Sequence, residues 1–251
     1  PHPLGDNLAR AMMGTVYVPP EFHDGEPLGR TNLHYGILHG GTEHQERCKR
    51  EDKLYVHVDH GFWGRTNNPG AKKGWFRFQL LSQASWMMRP PISADHERLK
   101  AIKARKLVDL QPRRKTGTRI FYQPPSPFMH EHWKLGPDFD GDALAHLRKQ
   151  YPGLPVTVYE KGGNLAKALA DCRLFVSFNS TAGYRALELG IDAVMTSPMT
   201  LWPYESMDLS DKDFADRREV MFAYMAGRCF EWGELEDGTA IFHMGRNGEI
   251  P

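Results

Sequence analysis

The sequence predicts an α/β protein whose second half holds a parallel sheet covered by helices on both faces. Three observations predict it. Apolar runs and amphipathic stretches alternate from "TRIFYQ" onward, through "DALAHLRKQ", "VTVYE", "NLAKALADC", "LFVSF", "TAGYRALELG" and "DAVM". The runs "LFVSF" and "DAVM" read as apolar runs, as strands buried on both faces should. The connections are short, and pairs such as the Pro-Gly after Tyr151 and the Gly-Gly at Gly162 punctuate them. Strands and helices alternating in this way define a Rossmann-like unit at about 117 to 205.

The first half alternates less regularly. "GTVYVPP" is a short strand stopped by prolines, and "LHYGILHGG" is a strand entering a glycine turn. Leu54 to Val58 reads as a strand that Asp59, His60 and Gly61 break; "NNPGAKKG" is a loop, and "WFRFQLL" is the next strand. Proline clusters at Met88–Pro91 and Gln123–Pro127 bracket "SADHERLKAIKARKL", a helix capped by Ser93 with Glu97 in its first turns.

In the second half, "GTRIFYQPP" is a strand, and a helix runs from about Gly141 to Gln150 until Pro-Gly ends it. "VTVYEKG", "LFVSF" and "DAVMTSP" follow as strands. "NLAKALADC" and "TAGYRALELG" are helices, the latter closed by Gly190. A long helix begins near Ser210, with Phe214, Val220, Met221, Tyr224 and Met225 as its apolar face. A short helix and an extended tail complete the chain.

The composition is that of an ordinary globular protein. The chain has 251 residues, 40% hydrophobic and 25% charged, with a formal net charge of +1, so no bulk electrostatic case exists for nucleic acid. Basic runs around Arg105 and Lys106, and at Arg113, Arg114 and Lys115, still offer local patches. Cys48, Cys172 and Cys229 contain no CxxC pair, which predicts buried thiols and no disulfide framework or cysteine zinc site. The amino terminus has no basic-then-apolar pattern and no apolar run approaches membrane-spanning length, which predicts a soluble intracellular protein without a transmembrane segment. The first residue is Pro rather than Met, as in a processed or trimmed start.

The junction "SFNST" joins strand to helix in "LFVSFNSTAGYRALELG". In a parallel α/β sheet, ligands sit beyond the carboxyl ends of strands, where the helices that follow turn free backbone N–H groups and a positive dipole end inward. Ser177, Asn179, Ser180 and Thr181 lie there, and a helix cap needs only one of them. The surplus points to a phosphate or phosphosugar, although GxxxxGK[ST] and GxGxxG are both absent. Glu188, two helical turns beyond Thr181, is either an exposed helix carboxylate or a group turned toward a ribose diol.

The stretch "VTVYEKGGNLAKALADCRLFVSFNSTAGYRALELGIDAVMTSPM", Val156 to Met199, resembles the carboxy-terminal half of GT-B glycosyltransferases, nearest to the capsule-polysaccharide type and its phage-encoded relatives. The shared pattern falls on Ser177, Ser180, Thr181, Ala186 to Gly190 and Val194 to Pro198. The resemblance implies a GT-B-like fold and an inverting transfer from a nucleotide-sugar donor, a UDP-sugar first among them. It implies no tightly bound cofactor and no required divalent ion. It puts the diphosphate at Ser180 and Thr181, the ribose at Glu188, a nucleotide contact at Lys161 and a further phosphate contact at Arg119. It also implies a reduced acceptor-side α/β domain over 1–115, a donor domain over 116–208, and a carboxy-terminal helix and tail over 209–251 that cross back to the first domain. With only 115 residues before the donor domain, the first domain falls short of the usual GT-B size. A host-cytoplasmic location follows for a phage-encoded member.

In the first half, "YVHVDHGFWGR" is the best catalytic candidate. Sugar transfer needs a group to take the acceptor's proton and positive charge to receive the departing phosphate. Asp59 fits the first role, with His60 as runner-up. Arg65, Lys72, Lys73 and Arg77 are candidates to pair with an acid or to contact acceptor or donor phosphate. His34, His39 and His44 recur at intervals that do not align on one helical face, so no metal site is expected. His130 and His132, two apart in "MHEHW", fit a strand or a loop beside the donor.

Three classes of acceptor remain open at this level: a hydroxymethylated base in phage DNA, a glycan or lipid-linked sugar, and a small molecule or protein. DNA would use Arg113, Arg114 and Lys115, with Arg105 and Lys106, on its phosphates, and Trp63, Trp75 or Trp86 for stacking. The competing class is a non-catalytic nucleotide-sugar or nucleic-acid binding module.

Overall fold

The computed structural model describes residues 31–35, 41–63, 74–81, 94–160, 162–198, 200–203 and 205–247. The strand expected at "GTVYVPP", the "NNPGAKKG" loop, the Met88–Pro91 cluster and the Ser93 cap lie outside these residues. Two units make up the chain. One runs to Leu107 and resumes at Phe222, and the other spans Val108–Met221. Each holds its own four-stranded sheet, and the chain is an α/β protein.

The first unit contains strand β1 (Thr31–Tyr35), helix α1 (Gly41–Arg50), β2 (Leu54–His60), β3 (Trp75–Leu81) and α2 (His96–Ala104). Its sheet has the order β1-β2-β3-β8, where β8 is Cys229–Glu231 from the returning chain. β1 and β2 are parallel, while β3 is antiparallel to both β2 and β8. Val56, Val58, Phe76, Phe78, Leu80 and Phe230 form the core with Leu235 and Met244, which come from α8 (Trp232–Glu236) and α9 (Thr239–Arg246). Burying one such side chain stabilises the fold by about 1.5–3 kcal/mol. Arg98 of α2 ties in the returning segment. Its two Nη atoms fork onto Glu234 at 2.7 Å each, and its Nε donates to the Ala226 carbonyl at 2.8 Å.

Three expectations are corrected here, and one unassigned stretch is filled. β2 extends through Asp59 and His60, which pair with Arg77 and Phe76 instead of breaking the strand. Residues 41–50, unassigned by pattern, are helical with a polar buried face of His44, Gln45 and Arg47. Asp95 caps α2, accepting the Arg98 N–H at 2.8 Å. The tail is helical as α9 and not extended.

The second unit is the regular one. It contains β4 (Arg119–Gln123), α3 (Pro127–His132), α4 (Phe139–Gln150), β5 (Val156–Val158), α5 (Leu165–Ala170), β6 (Cys172–Ser177), α6 (Thr181–Glu188) and β7 (Asp192–Met195). The sheet is wholly parallel with the order β5-β4-β6-β7. Leu174 and Val176 are buried with Ile120 and Tyr122 on one face, against Leu147 of α4. Ser177 lies on the opposite face with Met195, under Gly183 of α6, where an added Cβ would lie 2.7 Å from Met195 Sδ and 3.3 Å from Ser177 Oγ. Gly183 therefore lets α6 approach the sheet closely.

Helix α7 (Asp211–Gly227) begins in the second unit, and its last residues belong to the first. Ser210 opens it, its Oγ accepting the Asp213 N–H at 3.0 Å. Phe214, Met221 and Met225 are buried as expected, but Val220 is exposed and Phe222, Ala223 and Ala226 take interior positions.

Candidate functional site

The strand order creates one topological switch point. β4 leads to β5 on one side, and the chain then returns past β4 to β6 on the other. Neighbouring connections therefore leave the sheet on opposite faces between β4 and β6, and the carboxyl ends of these two strands are where a ligand crevice belongs in such a sheet. Gln123 and Ser177 close these two strands as register partners. α4 covers one face and α6 covers the other, and both begin at this end of the sheet.

Ser177 Oγ is buried without a hydrogen-bond partner, and so is Oε1 of Gln123. An unpaired buried polar atom costs about 1–3 kcal/mol, so these two atoms at neighbouring strand ends are candidates for satisfaction by a polar ligand. Ser180 is the N-cap of α6, its Oγ accepting the Ala182 N–H at 3.2 Å. The capping role thus falls to Ser180 alone. Asn179 and Thr181 are half-buried and engage no hydrogen bond through their side chains among the described residues. The turn after β7 continues the pairing, with Thr196 N–H donating to Ser177 O at 3.1 Å and Ser197 N–H to Phe178 O at 2.8 Å.

Tyr122 and Asp140, also at this end, escaped the sequence reading. Tyr122 Oη donates to Asp140 Oδ1 at 2.5 Å, and His130 Nε2 lies 3.1 Å from Asp140 Oδ2. Burial and the Asp140 carboxylate both push the Tyr122 phenol up, so it stays protonated as a donor. His130 and His132 sit on α3, a helix and not the strand or loop anticipated. The pattern "MHEHW" flagged His130, but its carboxylate partner lies ten residues away and only the α3–α4 turn brings them together.

The remaining predicted residues are placed as follows. Glu188 lies at the far end of α6, about 10 Å along the axis from Thr181. Its Oε1 accepts the Asp109 N–H at 3.0 Å and its Oε2 pairs with Arg185 at 2.5 Å, so it anchors a loop. Arg119 starts β4, about 13 Å along the strand from Gln123, and pairs with Asp171 at 2.8 Å. That position is the amino end of the sheet, away from the junction. Arg113 is interior and paired with Asp192; Arg114 donates to the carbonyls of Leu169 and Cys172. Of the basic trio only Lys115 is exposed, paired with Asp211 at 2.6 Å. Lys161, Arg65, Lys72, Lys73 and His39 lie outside the described residues.

In the first unit, Asp59 and His60 end β2 beside the carboxyl end of its parallel neighbour β1. Asp59 Oδ2 accepts from Arg77 Nη2 at 2.9 Å and Oδ1 accepts the His60 N–H at 2.7 Å. Burial works to raise the Asp59 pKa, but Arg77, His57 and the His60 amide outweigh it and hold the carboxyl below its ordinary range. Arg77, with Phe62 5.0 Å from its guanidinium, thus pairs with an acid, the first of the roles anticipated for it. Trp63 and Trp75 are core residues packed edge to face at 6.0 Å, unavailable to stack on a base; Trp86 lies outside the described residues. All three cysteines are free, buried thiols. Among the described residues, no group of three or more His, Cys, Asp or Glu side chains is arranged to hold a metal ion, and no helix is long and apolar enough to cross a membrane.

The fold and crevice are those of an α/β protein with a switch-point site. Among solved structures, the chain is similar to Thermosulfurimonas dismutans KpsC, beta Kdo 2,4 transferase, at 10% identity and TM-score 0.47, over 88% of this chain and 85% of that one. It is also similar to Thermosulfurimonas dismutans KpsC, beta Kdo 2,7 transferase, at 12% identity and TM-score 0.46, over 94% and 95%. No family model matches the chain, and no curated protein matches it.

Proposed function

We propose that the protein is a glycosyltransferase of the GT-B type that moves a sugar from a nucleotide-sugar donor to a hydroxyl acceptor with inversion. The observation that carries this reading is the paired strand ends, where Ser177 Oγ and Gln123 Oε1 are buried without partners beside the N-terminus of α6. A nucleoside diphosphate meets that arrangement well. Its phosphates accept from the first N–H groups of α6 and from the Asn179 and Thr181 side chains, while Ser180 keeps the helix start in place. The donor's nucleotide is a uridine phosphate in the first instance.

In the transfer, the acceptor hydroxyl attacks the anomeric carbon and its proton passes to Asp59. A carboxylate already ionised is ready for that role, although the Arg77 pair weakens it as a base. A glycan is the preferred acceptor over DNA, because Arg113 and Arg114 are committed to the interior and leave Lys115 as the exposed cation of that run.

Calorimetric titration with UDP, GDP, ADP and CMP tests the reading. Wild type should bind one of them, and Asn179→Ala/Thr181→Ala should weaken that binding by roughly tenfold or more, the loss of one to two charge-assisted hydrogen bonds. Absence of binding to every nucleotide would remove the proposal. Binding without any transfer from the matching nucleotide sugars, across glycan and DNA acceptors, would turn it into the binding-module alternative.

A further inference from the structure

The His130–Asp140–Tyr122 cluster occupies the same end of the sheet as the crevice; the Tyr122 ring belongs to the core, while its hydroxyl, Asp140 and His130 form a polar group at the edge of that core. His130 and Asp140 are half-exposed, with side-chain exposures of 27% and 36%. Three contacts tie them to the strand ends. Tyr122 immediately precedes Gln123 and is the register partner of Val176, so the hydroxyl that grips Asp140 comes from β4 one residue short of the crevice. The Phe139 ring stands edge-on to His130 at 5.9 Å. It is likewise edge-on to Phe178 at 5.9 Å, and Phe178 is the residue between Ser177 and Asn179. The dyad therefore flanks the crevice on the α4 face, as α6 flanks it on the other.

The hydrogen bonds determine how the ring can act. Asp140 receives the Tyr122 hydroxyl on one oxygen, and the other faces His130 Nε2. An ionised carboxylate only accepts, so Nε2 carries a proton and the ring orientation is held. Nδ1 is then the nitrogen left for a ligand. A carboxylate that fixes the tautomer of an imidazole is the arrangement by which a histidine exchanges protons with a substrate.

Resting on the transferase reading above, we infer that His130 is the acid that protonates the departing nucleotide phosphate, with Asp140 and Tyr122 as its positioning residues. The bond from the anomeric carbon to the phosphate oxygen breaks with its electron pair staying on that oxygen, which takes the Nδ1 proton of His130 in its doubly protonated form and leaves a neutral ring with its remaining proton on Nε2, toward Asp140. The acceptor oxygen bonds to the anomeric carbon, and its proton goes to the base. Water returns a proton to His130 and removes the one held by the base, so the cycle closes without a further reactant.

The test compares nucleotide affinity with transfer from two donors in wild type, His130→Gln, Asp140→Asn and Tyr122→Phe. One donor is the nucleotide sugar. The other is the corresponding glycosyl fluoride supplied with the free nucleotide, whose leaving anion makes a smaller demand for a proton. His130→Gln is expected to keep nucleotide affinity within about threefold while transfer from the nucleotide sugar falls by roughly 10²-fold or more. Transfer from the fluoride should fall much less. Asp140→Asn should show the same pattern more weakly, because the ring survives with its orientation loosened, and Tyr122→Phe more weakly still. Equal loss with both donors, unchanged transfer from the nucleotide sugar, or loss of nucleotide affinity in step with transfer would each overturn the assignment. Failure of wild type to bind any nucleotide overturns the underlying transferase reading as well, and it is told apart because it precedes any comparison of variants.

Discussion

Arg113 and Asp192 form an ion pair in the interior of the second unit, with Nε and Nη2 of the guanidinium 3.0 and 2.7 Å from the same carboxylate oxygen, Oδ1. The rest of the fork is also occupied. Nη1 donates to the Leu209 carbonyl at 2.7 Å, Nη2 donates to the Ser206 carbonyl at 2.6 Å, and the guanidinium lies 4.8 Å from the centre of the Phe214 ring. Arg173 holds the other oxygen of Asp192.

Removing Arg113 leaves a fully buried carboxylate with half its partners and strands two carbonyls. Arg113→Ala should therefore destabilise the protein by about 3–5 kcal/mol, the scale for breaking a buried pair from one side. Lys115→Gln, two residues away, should leave the unfolding midpoint unchanged, because its pair with Asp211 is open to water. Urea unfolding of both variants checks the contrast. Similar behaviour of the two would mean that Arg113 is not the anchor its hydrogen bonds describe.

Gly190 offers a second contrast. It follows α6 with φ +74°, and a Cβ there would lie 2.0 Å from the Pro112 carbonyl oxygen. Gly162 also has a positive φ, +95°, but nothing lies within 4 Å of its Cβ position. Gly162→Ala should cost about 1 kcal/mol of backbone strain alone. Gly190→Ala adds a clash with backbone that cannot rotate away and should cost at least about 2 kcal/mol more. Thermal unfolding of the two single variants is the measurement.

The second unit was largely legible because its central strands are buried on both faces and its turns carry Pro, Gly or a capping side chain. "LFVSF" and "DAVM" have no polar alternation to confuse them, and Ser180 and Ser210 announce their helices. The helix over Gly41–Arg50 was opaque for the opposite reason. Its buried side carries His44, Gln45 and Arg47 beside Cys48, with Arg47 paired to Glu51 and His44 packed near His34 and Tyr55, so polar side chains are interior where an apolar stripe is the usual helix signal. Half of the crevice was legible in the same sense. Ser177 and Asn179 stand out as polar residues ending an apolar run, whereas Gln123 matters only because the chain crosses back to set β6 beside β4. The run Arg113, Arg114, Lys115 looks uniform as sequence, and a partner such as Asp192 decides which of its charges is interior.

His44 predicts a pH dependence of stability. Its burial, with the nearby His34 and Arg47, pulls its pKa down from 6.5 to about 4. The unfolded chain therefore binds a proton between those values that the folded chain refuses. Stability from this site is complete above about pH 6.5 and is lost progressively as the pH falls toward 4, by an amount on the order of 2 kcal/mol. Unfolding free energies at half-unit steps from pH 4.5 to 7.5 should show this slope in wild type, and His44→Phe should flatten it. Parallel curves for the two proteins would exclude His44 as the source.

Asp59 bears on turnover. It is the proposed acceptor of the proton released by the attacking hydroxyl, and its carboxylate is held between Arg77 Nη2 and the His60 amide. Asp59→Asn preserves shape and can still accept one hydrogen bond from Arg77, but it cannot take a proton. Nucleotide affinity should stay near that of wild type while turnover drops by roughly 10²-fold or more, the usual loss for a positioned base. The net lowering of the Asp59 pKa by its neighbours gives a second signature. Only the carboxylate form works as a base, so kcat should hold steady as the pH is lowered through the ordinary aspartate range and fall only beneath it. A folded Asp59→Asn variant that binds nucleotide and transfers sugar at the wild-type rate would take Asp59 out of the reaction. If His60→Ala alone abolished transfer, the proton would go instead to the neighbouring imidazole.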